Sequence, residues 1–106
     1  MVFVETSVFT KLLGEYLSDE DYRALQNHLI LLPESGAIIK GSGGVRKIRW
    51  PSRGKGKSGG VRVIYYWATA FDQIFMLTLY GKSEKEDLSS ADLRVIVRLL
   101  TEMDNG

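Results

Sequence analysis

Lys55, Lys57 and Arg62, spaced by glycines in the stretch RGKGKSGGVR (53–62), are anion-binding side chains with no acid among them. Arg53 opens the same stretch, and Arg46, Lys47 and Arg49 stand just ahead of it in VRKIRW (45–50). Seven of the 14 lysines and arginines thus fall between positions 46 and 62, while no Asp or Glu occurs after Glu34 until Asp72. The net charge of +1 hides this segregation. A chain with one cationic block and acids only on its flanks has the footprint of a polyanion binder.

Three kinds of chemistry fit such a block. Gly56-Lys57-Ser58 matches the tail of a phosphate-binding loop, but the leading glycine of that motif would stand at Pro51, and the loop should open a helix. Here it runs into VRVIYYW (61–67), a β-type sequence, so nucleotide binding is disfavoured. A mobile basic insert is the second reading, and the glycines favour it. It leaves the cations within the flanking runs unexplained, where strand alternation sets Lys47 and Arg49 on one face and Arg46 on the other. The third reading is RNA: cations hold the scissile and neighbouring phosphates, and an aromatic ring such as Tyr65, Tyr66, Trp67 or Tyr80 stacks on a base. LYGKSEKEDL (79–88) brings Tyr80 and Lys82 to a sheet edge, near Arg62 if the register permits. The same aromatics also suit a sheet core.

Acid–base and metal groups are scarce. The single histidine, His28, falls in a helical run far from the basic block and reads as a packing or surface residue. Cysteine is absent, and the acids lack ligand spacing, so neither a metal site nor a cofactor is expected. Glu84, Glu86 and Asp87 read as solvated charges at a helix entrance.

The elements that must hold these groups follow from periodicity. VFVE (2–5) reads as a strand, with Thr6 or Ser7 as N-cap for a helix bearing Val8, Phe9, Leu12, Leu13 and Tyr16. Ser18 with Asp21 starts a second helix, whose stripe Tyr22, Leu25, Leu29 and Leu32 stops at Pro33. Glycine and serine breakers follow in PESGAIIKGSGG (33–44). VRKIRW, VRVIYYWA and QIFMLTLY then read as three strands, the last two joined by a short hairpin connection, TAFDQ. A final helix carries Leu93, Ile96, Val97, Leu100 and Met103 on one face behind Ser89 or Ser90. The expected order is β-α-α-β-β-β-α: an α+β fold in a single domain over 1–106, its antiparallel sheet bearing helices on one face and leaving the other open.

The composition, 44% hydrophobic and 25% charged with two prolines, is that of a packed globular chain. No segment of about 18 apolar residues and no export signal is apparent, so a cytoplasmic protein without membrane contact is expected.

The landmarks EYLSDEDYRALQNHLILLPESG, GSGGVRKIRW, GKGKSGGVRVIYYW and LTLYGKSEKEDLS resemble the RelE superfamily of type II toxin–antitoxin toxins, most closely its HigB branch. The resemblance implies a ribosome-dependent, metal-free endoribonuclease that cleaves mRNA in the ribosomal A site. It also implies a cognate antitoxin, of helix-turn-helix HigA-like type, and operator DNA bound only through the antitoxin complex. By position, Arg62 is implied to contact the scissile phosphate, with Lys82 and with Lys55 or Lys57 near the attacking and leaving oxygens. Arg46, Lys47, Arg49, Arg53 and Tyr80 are implied to hold flanking RNA, either mRNA or ribosomal RNA. Where some relatives carry a further arginine and a tyrosine, this chain has Ser83 and Ser89. Two other readings stand beside this one: an RNA- or ribosome-binding translation inhibitor that does not cut, and a domain whose basic face binds only an acidic antitoxin-like partner.

Overall fold

In the computed structural model, which describes residues 1–57 and 59–105, the chain begins with strand β1 (Val2–Glu5), helix α1 (Ser7–Tyr16) and helix α2 (Asp19–Leu31). Thr6 caps α1 by accepting the Phe9 N–H at 3.0 Å, and its own hydroxyl donates to the Leu77 carbonyl at 2.8 Å, tying the helix start to the sheet. Ser18 caps α2 through the Asp21 N–H at 3.0 Å, and Asp19, Glu20 and Asp21 face the positive end of that helix.

Strands β2 (Ala37–Ile38), β3 (Arg46–Trp50), β4 (Val61–Ala68) and β5 (Gln73–Gly81) follow, the last two joined by a 3-10 turn at Thr69–Phe71, and helix α3 (Ser90–Asn105) closes the series. The expected β3–β4–β5 meander is antiparallel throughout. Two strand features differ from expectation. The two-residue β2, too short to show a period, pairs with β3 at one edge, and β1 lies parallel to β5 at the other, giving the order β1-β5-β4-β3-β2. β5 is therefore interior rather than the edge expected for Tyr80 and Lys82. Its end runs beyond the part paired with β1, which stops at Met76. A bulge between Ile64 and Tyr65 on β4 shifts the register from Ile64 opposite Thr78 to Tyr65 opposite Met76.

The expectation that the helices share one face is corrected. Phe9, Tyr16, Leu17, Leu25 and Leu29 of the α1–α2 hairpin pack on Ile48, Val61, Val63, Tyr65 and Met76. Ile96 and Leu100 of α3 pack on Val45, Ile64, Phe75, Leu77 and Tyr80, the opposite face. Both faces of β4 need cover because its apolar residues do not alternate with polar ones. Ser89 and Asp92 form a reciprocal cap for α3, each backbone N–H donating to the other's side chain at 3.0 and 3.1 Å. Among the described residues no helix is long and apolar enough to cross a membrane.

Candidate nucleic-acid interface

Residues directly opposite in adjacent strands project to the same face, and the register sets Arg49 opposite Arg62 and Arg62 opposite Tyr80. One cation from β3 and one from β4 thus lie side by side where α3 does not reach, and Lys82 follows just beyond the end of β5. Residues 51–57, 59 and 60 wall this corner. Ser52 donates its hydroxyl to the Tyr16 carbonyl, the Gly54 N–H donates to the Asp21 carboxylate at 3.0 Å, and the Lys57 ammonium lies 5.1 Å from the centre of the Tyr16 ring. Asp21 is therefore spent on this loop rather than on returning a bond to Ser18.

Two glycines let the walls close. Gly60 has φ +75°, and a Cβ there would come within 2.7 Å of the Trp50 carbonyl oxygen. Gly59 has φ +76°, with a Cβ 2.9 Å from Lys82 Cδ. Between them lies a pocket of about 310 Å³ lined by Arg49, Trp50, Pro51, Gly59, Gly60, Arg62 and Lys82.

Its electrostatics are one-sided. Arg62 is only 6% exposed, yet among the described residues its guanidinium makes one long hydrogen bond, Nη1 to the Gly59 carbonyl at 3.4 Å. Among the described residues the ion pairs are Met1–Asp72, Lys47–Asp87 and Lys85–Asp92, none of which includes Arg49, Arg62 or Lys82. A buried guanidinium without a carboxylate, facing another guanidinium, costs stability and creates a strong local positive potential. Such a corner is built to receive an anion. No histidine or carboxylate lines the pocket. Burial, followed by the hydrogen bond from its hydroxyl to Glu84, pushes Tyr16 up to about 12, so this neighbouring phenol stays protonated. Among the described residues no three His, Cys, Asp or Glu side chains are grouped to hold a metal ion.

The structure brings Arg49, Arg62 and Lys82 together and disperses the rest. Arg53, Lys55 and Lys57 are exposed on the loop outside the pocket lining. Lys47 shares the Arg49 face one row away and meets the Asp87 carboxylate at 3.1 Å. Arg46 points to the α1–α2 side, where Nη1 donates to the carbonyls of Glu34 and Gly36 at 3.0 and 2.8 Å. Tyr80 does neighbour Arg62, but it is buried beneath Lys85, whose ammonium lies 5.0 Å from the ring centre. Burial, then the Asp87 charge, raises its hydroxyl above the usual phenol value, and Arg62 opposes them. Tyr65 and Trp67 pack toward the α1–α2 core and Tyr66 toward the α3 core.

Glu84 and Asp87, read as solvated charges, both have partners, Tyr16 and Lys47. Ser89 serves as a helix cap. His28 packs its ring 5.2 Å from that of Trp50, and its Nε2 lies 3.1 Å from the Ser35 hydroxyl, as a packing residue would. The stretch Gly56-Lys57 leads into β4 and not into a helix, and Ser58, which completes the phosphate-loop match, lies outside the described residues. Sequence reading misses Pro51, Gly59 and Gly60 of the pocket lining and, as its one large side chain, Trp50. Its Nε1 donates to the Asp21 carbonyl at 3.0 Å, fixing the ring as a wall, and its one sequence signal is an aromatic at the strand end beside Arg49.

Residues 33–105 match the family model of the RelE toxin of the RelE/RelB toxin–antitoxin system. This span holds β2 to β5 and α3, and with them every residue of the pocket. Among solved structures, the E. coli toxin RelE, a double-arginine mutant in the free state, superposes with a TM-score of 0.56 over 80% of this chain and 86% of that one, at 16% identity. At that identity the likeness is one of fold.

Proposed function

We propose that this chain, which belongs to the RelE toxin family and is the toxin of a toxin–antitoxin system, stops translation by cutting mRNA on the ribosome. The observation that carries this reading is the buried Arg62 guanidinium, free of any carboxylate among the described residues, in a pocket whose other cations are Arg49 and Lys82. In the reaction the ribose 2′-hydroxyl gives its proton to water as its oxygen bonds to the adjacent phosphorus, the bond from phosphorus to the 5′ oxygen breaks, and a 2′,3′-cyclic phosphate and a 5′-hydroxyl result. Arg62 faces the charge that develops on the phosphorane oxygens, where preorganised donors are worth most. Arg49 holds an adjoining phosphate, and Lys82, the one amine lining the pocket, donates a proton to the departing 5′ oxygen. Lys55, Lys57 and Arg53 close on the RNA from the loop, and Lys47 flanks it along β3, whereas Arg46, expected beside them, faces the other side of the sheet and is held by the Glu34 and Gly36 carbonyls. A pocket without histidine or carboxylate relies on alignment of the attacking oxygen, which the ribosome supplies.

The remaining parts of the reading rest on the likeness to the family: one toxin domain over 1–106, the HigB branch, a cytoplasmic site of action, and a HigA-like antitoxin through which the complex reaches operator DNA. The lack of a histidine or carboxylate among the described pocket residues favours one alternative, an RNA- or ribosome-binding inhibitor that does not cut. Mapping mRNA 5′ ends after induction separates the two. New 5′-hydroxyl ends in phase with codons, absent with Arg62→Ala, are expected. Arrested translation over intact mRNA would replace cleavage with the silent binder.

A further inference from the structure

Beyond the pocket, the cationic face of the sheet continues to a second row, Lys47 on β3 opposite Ile64 on β4, two residues from the Arg49–Arg62 row. This row is covered by the turn Lys82–Leu88, which links β5 to α3. The Asp87 carboxylate meets the Lys47 ammonium at 3.1 Å, and Lys85 meets Asp92 at 3.2 Å while lying over the Tyr80 ring. Underneath, the Tyr80 hydroxyl is fully enclosed and has no hydrogen-bond partner among the described residues. Tyr80 is itself 4% exposed and sits beside Arg62 in the register.

Three features mark this turn as provisional cover. Its ion pairs are exposed at their acidic ends, with 71% of the Asp87 side chain accessible, and such pairs are weak and screened by salt. The enclosed hydroxyl is a cost of the closed arrangement that opening removes. The group held over Lys47 is an anionic oxygen pair, the chemistry of a phosphate.

We propose that the turn is a gate across the RNA path: the Asp87 carboxylate holds the place of a phosphate on Lys47, and a single-stranded RNA backbone displaces it, freeing Lys47 and the Tyr80 hydroxyl for the incoming strand. The proposal rests on the reading of this face as an RNA surface and adds its regulation. The anionic residue that closes the site sits in the chain itself, so RNA binds against an internal competitor. Glu84 anchors the base of the gate through the Tyr16 hydroxyl at 2.7 Å, which leaves the Asp87 end as the part that moves.

The test is binding of a fluorescein-labelled 2′-O-methyl uridine decamer, which lacks the attacking hydroxyl and reports association alone. Asp87→Asn, at an exposed position, should bind about 1.4-fold to 2.3-fold more tightly at low salt, as loss of one weak competing pair implies. In a Lys47→Met background the same change should give no gain. Tyr80→Phe removes the orphaned hydroxyl, so it should raise the Tm and weaken binding by about twofold. Unchanged or weaker binding by Asp87→Asn, or an equal gain without Lys47, overturns the gate and leaves the RNA surface standing. Unweakened binding by Tyr80→Phe removes Tyr80 from the opened site. Failure of every variant, and of the wild type, to bind the decamer removes the RNA surface and the gate together.

Discussion

Arg46 and Arg62 both lie in central strands of one sheet, and they are spent in opposite ways. Around Arg46 backbone carbonyls converge on one guanidinium nitrogen, Nη1. Its guanidinium donates to the Glu34 and Gly36 carbonyls, while the Tyr65 hydroxyl accepts the Gly36 N–H at 2.9 Å and donates to the Pro33 carbonyl at 2.8 Å. This clasp pins the segment after α2 against β3 and β4. Around Arg62 the donors outnumber their acceptors among the described residues: one carbonyl at 3.4 Å, with Arg49 opposite. An arginine in a strand becomes a structural tie where carbonyls converge on it and an anion site where they do not. The clasp contributes stability, and the corner gives some of it up to hold a positive field.

The most direct way to break this contrast is to remove each arginine in turn. Arg62→Ala should lower cleavage by about 100-fold or more, the usual effect of losing one preorganised donor to a transition-state anion. Its melting temperature should stay level or rise as the like-charge neighbour is relieved. Arg46→Ala should do the reverse, costing about 1–3 kcal/mol of stability by stranding two carbonyls, with little change in cleavage at equal folded protein. Denaturant melts alongside mRNA end-mapping read both. A large stability loss for Arg62→Ala with intact cleavage would erase the distinction.

A third substitution sharpens the corner itself. Gly60 holds a left-handed conformation and touches the Trp50 carbonyl, so Gly60→Ala should cost about 1–3 kcal/mol and widen the gap between Trp50 and Lys82. Gly56→Ala, also at positive φ but with open space around it, should cost less. Urea midpoints of the two variants supply the comparison, and equal losses would mean that conformation alone, not the close approach, makes Gly60 a glycine.

Much of the corner was legible before any coordinates. Arg62 and Arg49 stood out by charge and Lys82 by its place after the last strand run, and the strand runs implied a meander that sets neighbouring strands in register. The α1, α2 and α3 caps were readable because a serine or threonine precedes each helical stripe. Three matters were not legible, for physical reasons. A two-residue strand such as β2 has no period. The partners of Arg46 are backbone carbonyls, which carry no residue-type signal. The position of Lys55 and Lys57 outside the pocket depends on how the loop is pulled toward α1 and α2 by Ser52, Gly54 and Lys57. The side on which α3 packs was readable in principle, since VRVIYYWA is apolar on both of its faces and one layer of helices covers only one.

The smallest expected effect tests the ion pair that links the corner to α3. Hydrogen bonding to Lys47, first, and to the Leu88 N–H hold the Asp87 carboxyl below its usual value. A carboxyl lowered in the folded state binds protons more readily when unfolded. Its contribution is therefore present above the ordinary carboxylate value near 3.8 and is lost as the pH falls through the lower folded value. Because most of the Asp87 side chain is exposed, solvent screening keeps this to about 0.2–0.5 kcal/mol. Melts of the wild type and Asp87→Asn should therefore differ by that margin at pH 6 and converge as the pH falls past the ordinary carboxylate value and through the lower folded one. A difference that persists undiminished in acid would mean that Asp87 acts through its shape and its bond to Leu88, not through its charge on Lys47.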